Sequence, residues 1–493
     1  MIDMPSTMQK AIRNAATALF ASDKVLAVSH IDADGIASMA IVLETLTRLN
    51  KPHRWRNIHQ LNSESIHEVK ELVLEYSPDL VIFSDFGSGQ VDLIQKHILP
   101  MNGVKGAIIL DHHLPPSGRE EYQELDQEGK LIEINPCQHG LNGSKDISGA
   151  GVSFLFSLSI SPDNSDLSEL AIVGATGDLQ DYYGKGFTGL NLELIKLGIS
   201  GNYISVNRDL TLFGINTRPL VQLIQYATDP YLPGLTGDPD ACYAFYNQLG
   251  IELKNREDQW KRWVDLNQDE KQRIVQKLIS ELLHFYEDSK VATGLIGDVI
   301  ALLHRPQRSE MSTAKEFSTL LNACGRNRRS DIGVKICLGD EEAFQAGKAL
   351  LQQHRANLAM AIRRIEDGGF EEREGIYVVN DPQTQDTIIG VVIGMAQGSN
   401  IIPGDKPVIG ISTNTTDDGP LVKISGRARR HVVKRGVNLK DVFTATADEL
   451  NNKYHKLVAE AGGHPMAAGA FIQNDYLDEF VNRVSTAIAI KLQ

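Results

Sequence analysis

Between residues 24 and 180 short apolar runs alternate with amphipathic stretches, and no other feature limits the fold as tightly. The runs are "KVLAVS" (24–29), "DLVIFSD" (79–85), "GAIILD" (106–111) and "LIEIN" (131–135). Each is short and nearly continuous in apolar character, the pattern of a strand buried on both faces. After the first comes "GIASMAIVLETLTRL" (35–49), where Ile36, Met39, Ala40, Leu43 and Leu46 recur at helical spacing. "GAGVSFLFSLSI" (149–160) reads as a buried helix. "ELAIVGATGD" (169–178) reads as a further apolar segment running to a polar tip. Such strands, joined by helices, form a parallel sheet covered on both sides, whose ligands lie beyond the carboxyl ends of the strands.

Those ends carry the chemistry. His30-Ile31-Asp32-Ala33-Asp34-Gly35 follows the first run, Asp85 closes the second, Asp111-His112-His113 closes the third, and Asp178 ends the 169–178 segment, so that all four clusters read as strand tips. Singly, each has a bland explanation. An Asp after a strand is usually a helix N-cap, a His near an apolar strand is usually a satisfied core residue, and Asp-x-Asp is common in turns. Together they bring several carboxylates and imidazoles to one edge of one sheet. Unpaired carboxylates repel, and cations resolve the conflict. A mixed Asp/His set suits Mn²⁺, with Mg²⁺ or Zn²⁺ as alternatives.

With 493 residues the chain is too long for one core. From about 190 to 340 its character changes. Residues 218–239, rich in Pro, Gly and Asp, read as mostly loop. Residues 265–285 form a helix capped by Asn267, with Glu270 completing a capping box and Ile274, Leu278, Ile279 and Leu282 on one face. Asp340 can cap a long helix over 341–366, ended by Gly368 and Gly369. "GIYVVN", "TIIGVVIGMA", "PVIGIS" and "LVKISGR" then announce a smaller α/β domain. The expected division is 1–190, a mainly helical insertion at 191–339, a connecting helix at 340–369, and 370–493.

No apolar run approaches the roughly 20 residues that cross a bilayer, and the N-terminus reads as an amphipathic helix and not a signal peptide. The four cysteines contain no CxxC pair, which argues against a zinc ribbon and for buried thiols in a reducing compartment. A cytoplasmic protein is expected. The net charge of -14 argues against a nonspecific nucleic-acid coat but not against a nuclease with a local basic groove. The basic clusters are 427–435 and 326–329.

The motifs "HIDADG" (30–35), Asp85, "DHH" (111–113) and Asp178 resemble those of the DHH/DHHA1 phosphoesterase superfamily. "AGGHPMAAG" (461–469) resembles the DHHA1 signature, and "ISGRAR" (424–429) its upstream arginine motif. Within the superfamily the chain is most similar to RecJ-like single-strand exonucleases of the archaeal branch, notably at 218–237 and "EFSTLLNACGR" (316–326). The resemblance covers nearly the whole chain. It departs from bacterial RecJ proteins, which extend the first motif upstream and carry further C-terminal modules, including an OB-fold.

The resemblance implies two divalent cations, Mn²⁺ first and Mg²⁺ second. His30, Asp32 and Asp85 would hold one, and Asp34, Asp85, His112 and Asp178 the other, with Asp85 shared. Cations roughly 3.5–4 Å apart lower the pKa of a shared water, which attacks phosphorus in line. His113 would stabilise charge on the non-bridging oxygens, and Asp111 would orient a histidine. Arg427, Arg429, Gly462, Gly463 and His464 would grip the substrate. Without the resemblance, the Gly-rich run reads as a tight turn opening a helix at "AAGAF". Residues 316–329 would follow the path of a bound strand, and Tyr182 and Tyr183 are suited to stack on a base. The implied partners are single-stranded nucleic acid and GINS-type replisome or repair-helicase proteins, with no membrane. One alternative is a phosphodiesterase of oligoribonucleotides or cyclic dinucleotides, against which the helical middle region argues. Another is a replication scaffold, like the related eukaryotic helicase subunit that has lost its metal ligands; this chain keeps every one.

Overall fold

The computed structural model describes residues 2–492 apart from 116–129, 182–185, 228–229, 231, 286–291, 293 and 417–418. Strands β1 (Val25–Ser29), β2 (His53–Asn57), β3 (Leu80–Ser84), β4 (Gly106–Leu110) and β5 (Leu131–Ile134) pair in parallel in the order β2-β1-β3-β4-β5. The period of two along each strand divides the apolar side chains between two cores. Val25, Ala27, Leu80, Ile82, Ile108 and Leu110 pack with the helices Ser6–Ala21, Ala33–Arg48, Gly149–Ile160 and Ser168–Gly177. Leu26, Val28, Val81, Phe83, Ala107 and Ile109 pack with the helices Ser65–Tyr76 and Val91–His97 on the opposite face. Burying each Val, Leu, Ile or Phe among them stabilises the fold by about 1.5–3 kcal/mol. The helix after β1 lies on one face and the helices after β2 and β3 on the other. The order therefore reverses between β1 and β3, which opens the crevice where ligands of such sheets bind.

In and around this sheet, one strand and one helix differ from the sequence expectation. β2, "HRWRN", is an edge strand whose residues alternate between partial burial and exposure, so it carries no apolar run to betray it. The 169–178 segment is not a strand: Ser168–Gly177 is a helix packed among other helices, and Asp178 follows its last turn. A short run that is apolar on all sides has no period to distinguish a buried strand from a buried helix.

The chain divides into two compact units, Met1–Leu351 and Gln352–Gln493, the division falling within the helix Glu341–Gly368. Asp340 caps that helix by accepting the Ala343 N–H at 2.9 Å, and Gly369 follows it at φ +74°. In the first unit, β6 (Ile204–Leu210) and β7 (Ile296–Leu302) pair antiparallel and bracket an insertion with its own core, from Leu210 to Leu295 around Trp263 and Tyr246. The Asn267–Glu270 capping box forms, with 2.9 Å bonds in both directions. Within 218–239 one short helix, Leu220–Gln225, buries Leu223 and Ile224. Cys242, Cys324 and Cys337 are buried thiols; Cys137 is only half-buried. No helix among the described residues is long and apolar enough to cross a membrane.

In the second unit β8 (Glu371–Glu372), β9 (Tyr377–Asn380), β10 (Val408–Thr416), β11 (Gly419–Arg427), β12 (Ala459–His464) and β13 (Ala467–Gln473) form one sheet in the order β12-β13-β11-β10-β9-β8. "AAGAF" lies in β13, not in a helix; Ala468, Ala470 and Ile472 alternate into a core shared with the helices Leu439–Tyr454 and Leu477–Leu492. On the opposite face the helix Ile389–Gly398 packs on Tyr377, Val379 and Val408.

In the first unit Glu316, on the helix Ala314–Arg326, is a buried carboxylate that accepts the Asn216 N–H and the Thr217 hydroxyl. Burial pushes it up to about 7, against those hydrogen bonds. A raised folded-state carboxyl binds its proton more tightly than the unfolded chain does. Its ionisation therefore removes stability as pH rises from about 4.5 to about 7, by about 3 kcal/mol over the window. Glu316→Gln is expected to flatten this part of the unfolding-temperature profile; a slope equal to that of the unaltered chain contradicts the assignment.

Candidate metal centre

The carboxyl ends of β1, β3 and β4 and the C-terminal end of the 168–177 helix meet in the first unit. β1 feeds His30 and a turn in which the Asp32 side chain caps the 33–48 helix by accepting the Gly35 N–H at 3.0 Å. Gly35 is required there, because a Cβ would lie 2.5 Å from the His30 carbonyl oxygen. The cap uses Asp32 Oδ1 and leaves Oδ2 facing His30 Nδ1 at 3.0 Å. Asn57, at the end of β2, donates to the His30 carbonyl at 2.6 Å and fixes the loop from the other side.

Asp34 lies in the first turn of the same helix, and both its oxygens are held by the N-terminus of the 149–160 helix. Gly149 N–H donates to Oδ2 at 2.7 Å and Ala150 N–H to Oδ1 at 3.0 Å, a placement that the positive end of a helix favours. Two glycines make room for the carboxylates here, Gly174 for Asp34 and Gly149 for Asp85. A Cβ at Gly149 would approach Asp85 Oδ1 to 2.7 Å, and one at Gly174 would approach Asp34 Oδ1 to 2.4 Å.

Asp85 follows β3 with a left-handed backbone, φ +61°, held by its N–H donating to the Leu110 carbonyl at 2.8 Å. That conformation is costly for a non-glycine residue and turns the carboxylate into the crevice. Among the described residues neither buried Asp85 oxygen has a hydrogen-bond partner; the histidine nitrogens beside them are His112 Nε2 at 3.3 Å and His30 Nδ1 at 3.6 Å.

His112 Nδ1 faces the Gly143 carbonyl at 2.7 Å. A carbonyl only accepts, so Nδ1 carries the hydrogen. His112 Nε2 then points at Asp85 Oδ1, at Asp34 Oδ2 at 3.6 Å and at Asp178 Oδ2 at 3.8 Å, with no hydrogen bond among them. In the neutral imidazole that places a lone pair among carboxylate oxygens. The ring must therefore hold a second proton or meet a cation. Burial alone would lower its pKa, but Asp178, Asp85 and Asp34 together hold it well above the ordinary histidine value. His30 is raised likewise, against its burial, by Asp32 and Asp85. Burial and the Asp85 charge raise Asp34, with His112 opposing. Burial raises Asp178 too. Asp32 goes the other way: burial opposes, yet His30 holds it far below the usual carboxylate range.

Three groups of ligand atoms lie within 4.8 Å of one another: His30, Asp32 and Asp85; Asp34, His112 and Asp178; and Asp85, His112 and His113. Buried acceptors in excess of donors, histidines among them, are what a divalent cation satisfies. The donor set fits the cations the sequence leads one to expect. Asp111 is turned away from this group. Its Oδ1 accepts the N–H groups of His112 (2.7 Å) and His113 (3.1 Å) and faces His113 Nδ1 at 2.8 Å, while Oδ2 accepts the Ser88 N–H at 2.9 Å. Burial opposes its ionisation, but His113 outweighs that and holds the Asp111 carboxyl far below its ordinary range.

Sequence reasoning did not find Gly149, Gly174, Gly143 or Asn57. Their roles depend on distant segments coming together, which no local pattern signals. The 316–329 stretch has one end at this site. Asn322 Oδ1 accepts the Ala33 N–H at 3.1 Å, a Cβ at Gly325 would lie 1.9 Å from the Ile31 carbonyl oxygen, and Arg326, whose burial lowers its pKa, feels the Asp32 charge. Tyr182 and Tyr183 lie outside the described residues.

In the second unit Arg427 pairs across β13 Ala467, which pairs with β12 His464, so the three share a row and a face of the sheet. Lys423 and Ser425 of β11, Gly469 of β13, and Glu460 and Gly462 of β12 line the same face. Gly463, at φ +131°, lies between Gly462 and His464. Arg427 packs against Gly390, where a Cβ would lie 2.6 Å from its guanidinium. Lys423, which the sequence pattern does not single out, has its amine 4.0 Å from the Phe471 ring centroid; burial pushes it down to about 8. Arg429 is directed at the Gln397 carbonyl and at Asn400 Oδ1, contacts that tie it to the end of the 389–398 helix.

A parallel α/β sheet with an Asp/His cage at its switch point, followed by a second unit with a cationic sheet face, defines a family. Residues 24–175 match the DHH family N-terminal domain, 212–296 the DHH-CID domain and 376–489 the DHHA1 domain. The chain belongs to the DHH/DHHA1 superfamily and has a RecJ-like fold. Among relatives, an uncharacterized protein of Methanocaldococcus jannaschii is 29% identical over 94% of this chain and 93% of its own length. The single-stranded-DNA-specific exonuclease RecJ of Haemophilus influenzae is 21% identical over 98% of this chain and 69% of its own. Among solved structures, RecJ of Thermus thermophilus in complex with Mn²⁺ superposes with a TM-score of 0.57 at 16% identity; it covers 99% of this chain, which spans only 56% of that protein. CDC45 of Entamoeba histolytica superposes with a TM-score of 0.63 at 13% identity, over 99% of this chain and 100% of its own.

If the cage holds cations, Mn²⁺ at 100 times its dissociation constant is expected to stabilise the fold by about 2.7 kcal/mol. EDTA should reverse the gain, and Asp85→Asn should remove most of it. Equal unfolding temperatures with Mn²⁺ and with EDTA would sink the metal assignment.

Proposed function

We propose that the chain is a divalent-metal-dependent exonuclease of the RecJ type, which hydrolyses phosphodiester bonds of single-stranded DNA or RNA in replication, repair or RNA turnover. The observation that carries this reading is the buried convergence of Asp34, Asp85 and Asp178 on His112, beside His30 and Asp32. In this reading His30, Asp32 and Asp85 hold one cation, and Asp34, Asp85, His112 and Asp178 hold a second. Two such cations, Mn²⁺ or Mg²⁺, supply Lewis acidity toward a phosphoryl oxygen and a water that ionises at neutral pH.

The remaining work falls to the chain's own groups. Asp111 holds the Nδ1 side of His113, whose ring is partly exposed, and in this reading the Nε2 of that ring donates to a non-bridging oxygen. Arg326 offsets phosphate charge next to Asp32. In the second unit Lys423, Arg427 and His464 bind backbone phosphates, while Gly462 and Gly463 allow close approach to β12. Arg429 acts by anchoring its own loop.

A second reading, a scaffold with GINS-type or repair-helicase partners, is favoured by the fold likeness to CDC45. Such a role needs no metal ligands, so the retained set argues for hydrolysis. The third, a phosphodiesterase of dinucleotides, does not call for the surface that the 212–296 insertion adds.

Single-stranded DNA and RNA oligonucleotides, labelled in turn at each end and incubated with Mn²⁺, are expected to release mononucleotides from one end. Asp34→Ala should lower the rate by at least about 10³-fold with cooperative unfolding retained. Intact oligonucleotides with cleaved dinucleotides would move the assignment to the third reading, and inertness toward both to the second.

A further inference from the structure

We infer that Gln180 is a positioning residue for one of the two cation positions, held in its orientation by Asn191. The inference rests on the proposed two-cation reading and adds to it a residue that binds no cation itself. Gln180 is 1% exposed, although Leu179 beside it is 59% exposed. The inversion has a backbone cause. Leu179 adopts φ +58°, a left-handed conformation that costs about 1–2 kcal/mol in a residue with a Cβ. The chain thus expels a leucine and buries an amide, which ordinary packing does not reward.

What the buried amide meets explains the exchange. Its Nε2 lies 2.8 Å from the Gly143 carbonyl, 2.9 Å from Asp178 Oδ2 and 3.3 Å from the Ile147 carbonyl. All three are acceptors, so the NH₂ end must face them however the amide is drawn. At the other end Asn191 Nδ2 donates to Gln180 Oε1 at 2.7 Å. Asn191 is fully buried on the helix Gly189–Ser200, and its donation prevents the amide from flipping. The Gly143 carbonyl that takes one Gln180 hydrogen also takes His112 Nδ1–H. One amide therefore orients Asp178 directly and His112 through a shared carbonyl. It contacts neither His30 nor Asp32 in this way, so its removal should be felt on one side of the cage only. Partners of this kind typically alter metal affinity 10- to 100-fold.

The test is a Mn²⁺ titration of the full chain by calorimetry, beside thermal unfolding, for the unaltered protein, Gln180→Met and Asn191→Leu. Methionine matches the length of glutamine without its donors. The expected result is two Mn²⁺ per unaltered chain. Gln180→Met should retain one at unchanged affinity and bind the other at least about tenfold more weakly. Asn191→Leu should weaken that same position to a lesser degree. Two unchanged affinities, equal weakening of both, or failure of both variants to fold would overturn the inference and leave the amide a purely structural group. Uptake of fewer than two Mn²⁺ by the unaltered chain would remove the inference along with the cage. Two Mn²⁺ bound without nucleic-acid hydrolysis would refute the exonuclease reading and leave the positioning role standing.

Discussion

The arrangement of the first unit depends on one electrostatic conflict. Asp34, Asp85 and Asp178 are aimed at the single Nε2 of His112 from 3.3 to 3.8 Å. The other nitrogen of that ring is already committed to the Gly143 carbonyl. In water such carboxylates would separate; here the fold forbids it, because each is fixed to a different rigid element. Asp34 is pinned by two backbone N–H groups, Asp85 by a left-handed turn bonded to β4, and Asp178 by the end of a buried helix. A divalent cation bound there would turn this repulsion into cohesion, and the glycines at 149 and 174 are the spaces that let the carboxylates come so near one another.

The sheet explains why the conflict arises here. In the order β2-β1-β3-β4-β5 the chain reverses direction of growth between β1 and β3. Connecting helices leave on opposite faces, and the ends of the two strands remain uncovered. His30, Asp32 and Asp34 follow one of these strands and Asp85 the other, with Asp111, His112 and His113 on the next strand outward. In the second unit the period of two does comparable work: Val422 and Ile424 face the core, while Lys423, Ser425 and Arg427 face away from it, so one strand contributes to stability and to a polar surface at once.

Much of this was legible in the sequence because burial on both faces leaves an unmistakable mark. β1, β3 and β4 each show five successive residues with little or no polar interruption, and the candidate ligands stand directly at their tips. The capping residues Asn267 and Asp340 were equally legible, since a side chain that accepts from the first turn must stand at a fixed offset. Three things were not. Edge strand β2 is half-exposed and carries two arginines, so it has no apolar signature. Asp178 was found as a ligand candidate but given the wrong element, because a run such as "LAIVGATG" is apolar in every direction. Residues that act through space alone, Gly149, Gly174, Asn57 and Lys423, have roles only once distant segments meet.

The central claim is that two cations share Asp85, and diffraction from crystals grown with Mn²⁺, recorded at the manganese edge, tests it most directly. The account predicts two anomalous peaks, one beside His30 and Asp32 and one beside Asp34, His112 and Asp178, with a carboxylate oxygen of Asp85 directed at each. A single peak, or two peaks of which one makes no contact with Asp85, would contradict it.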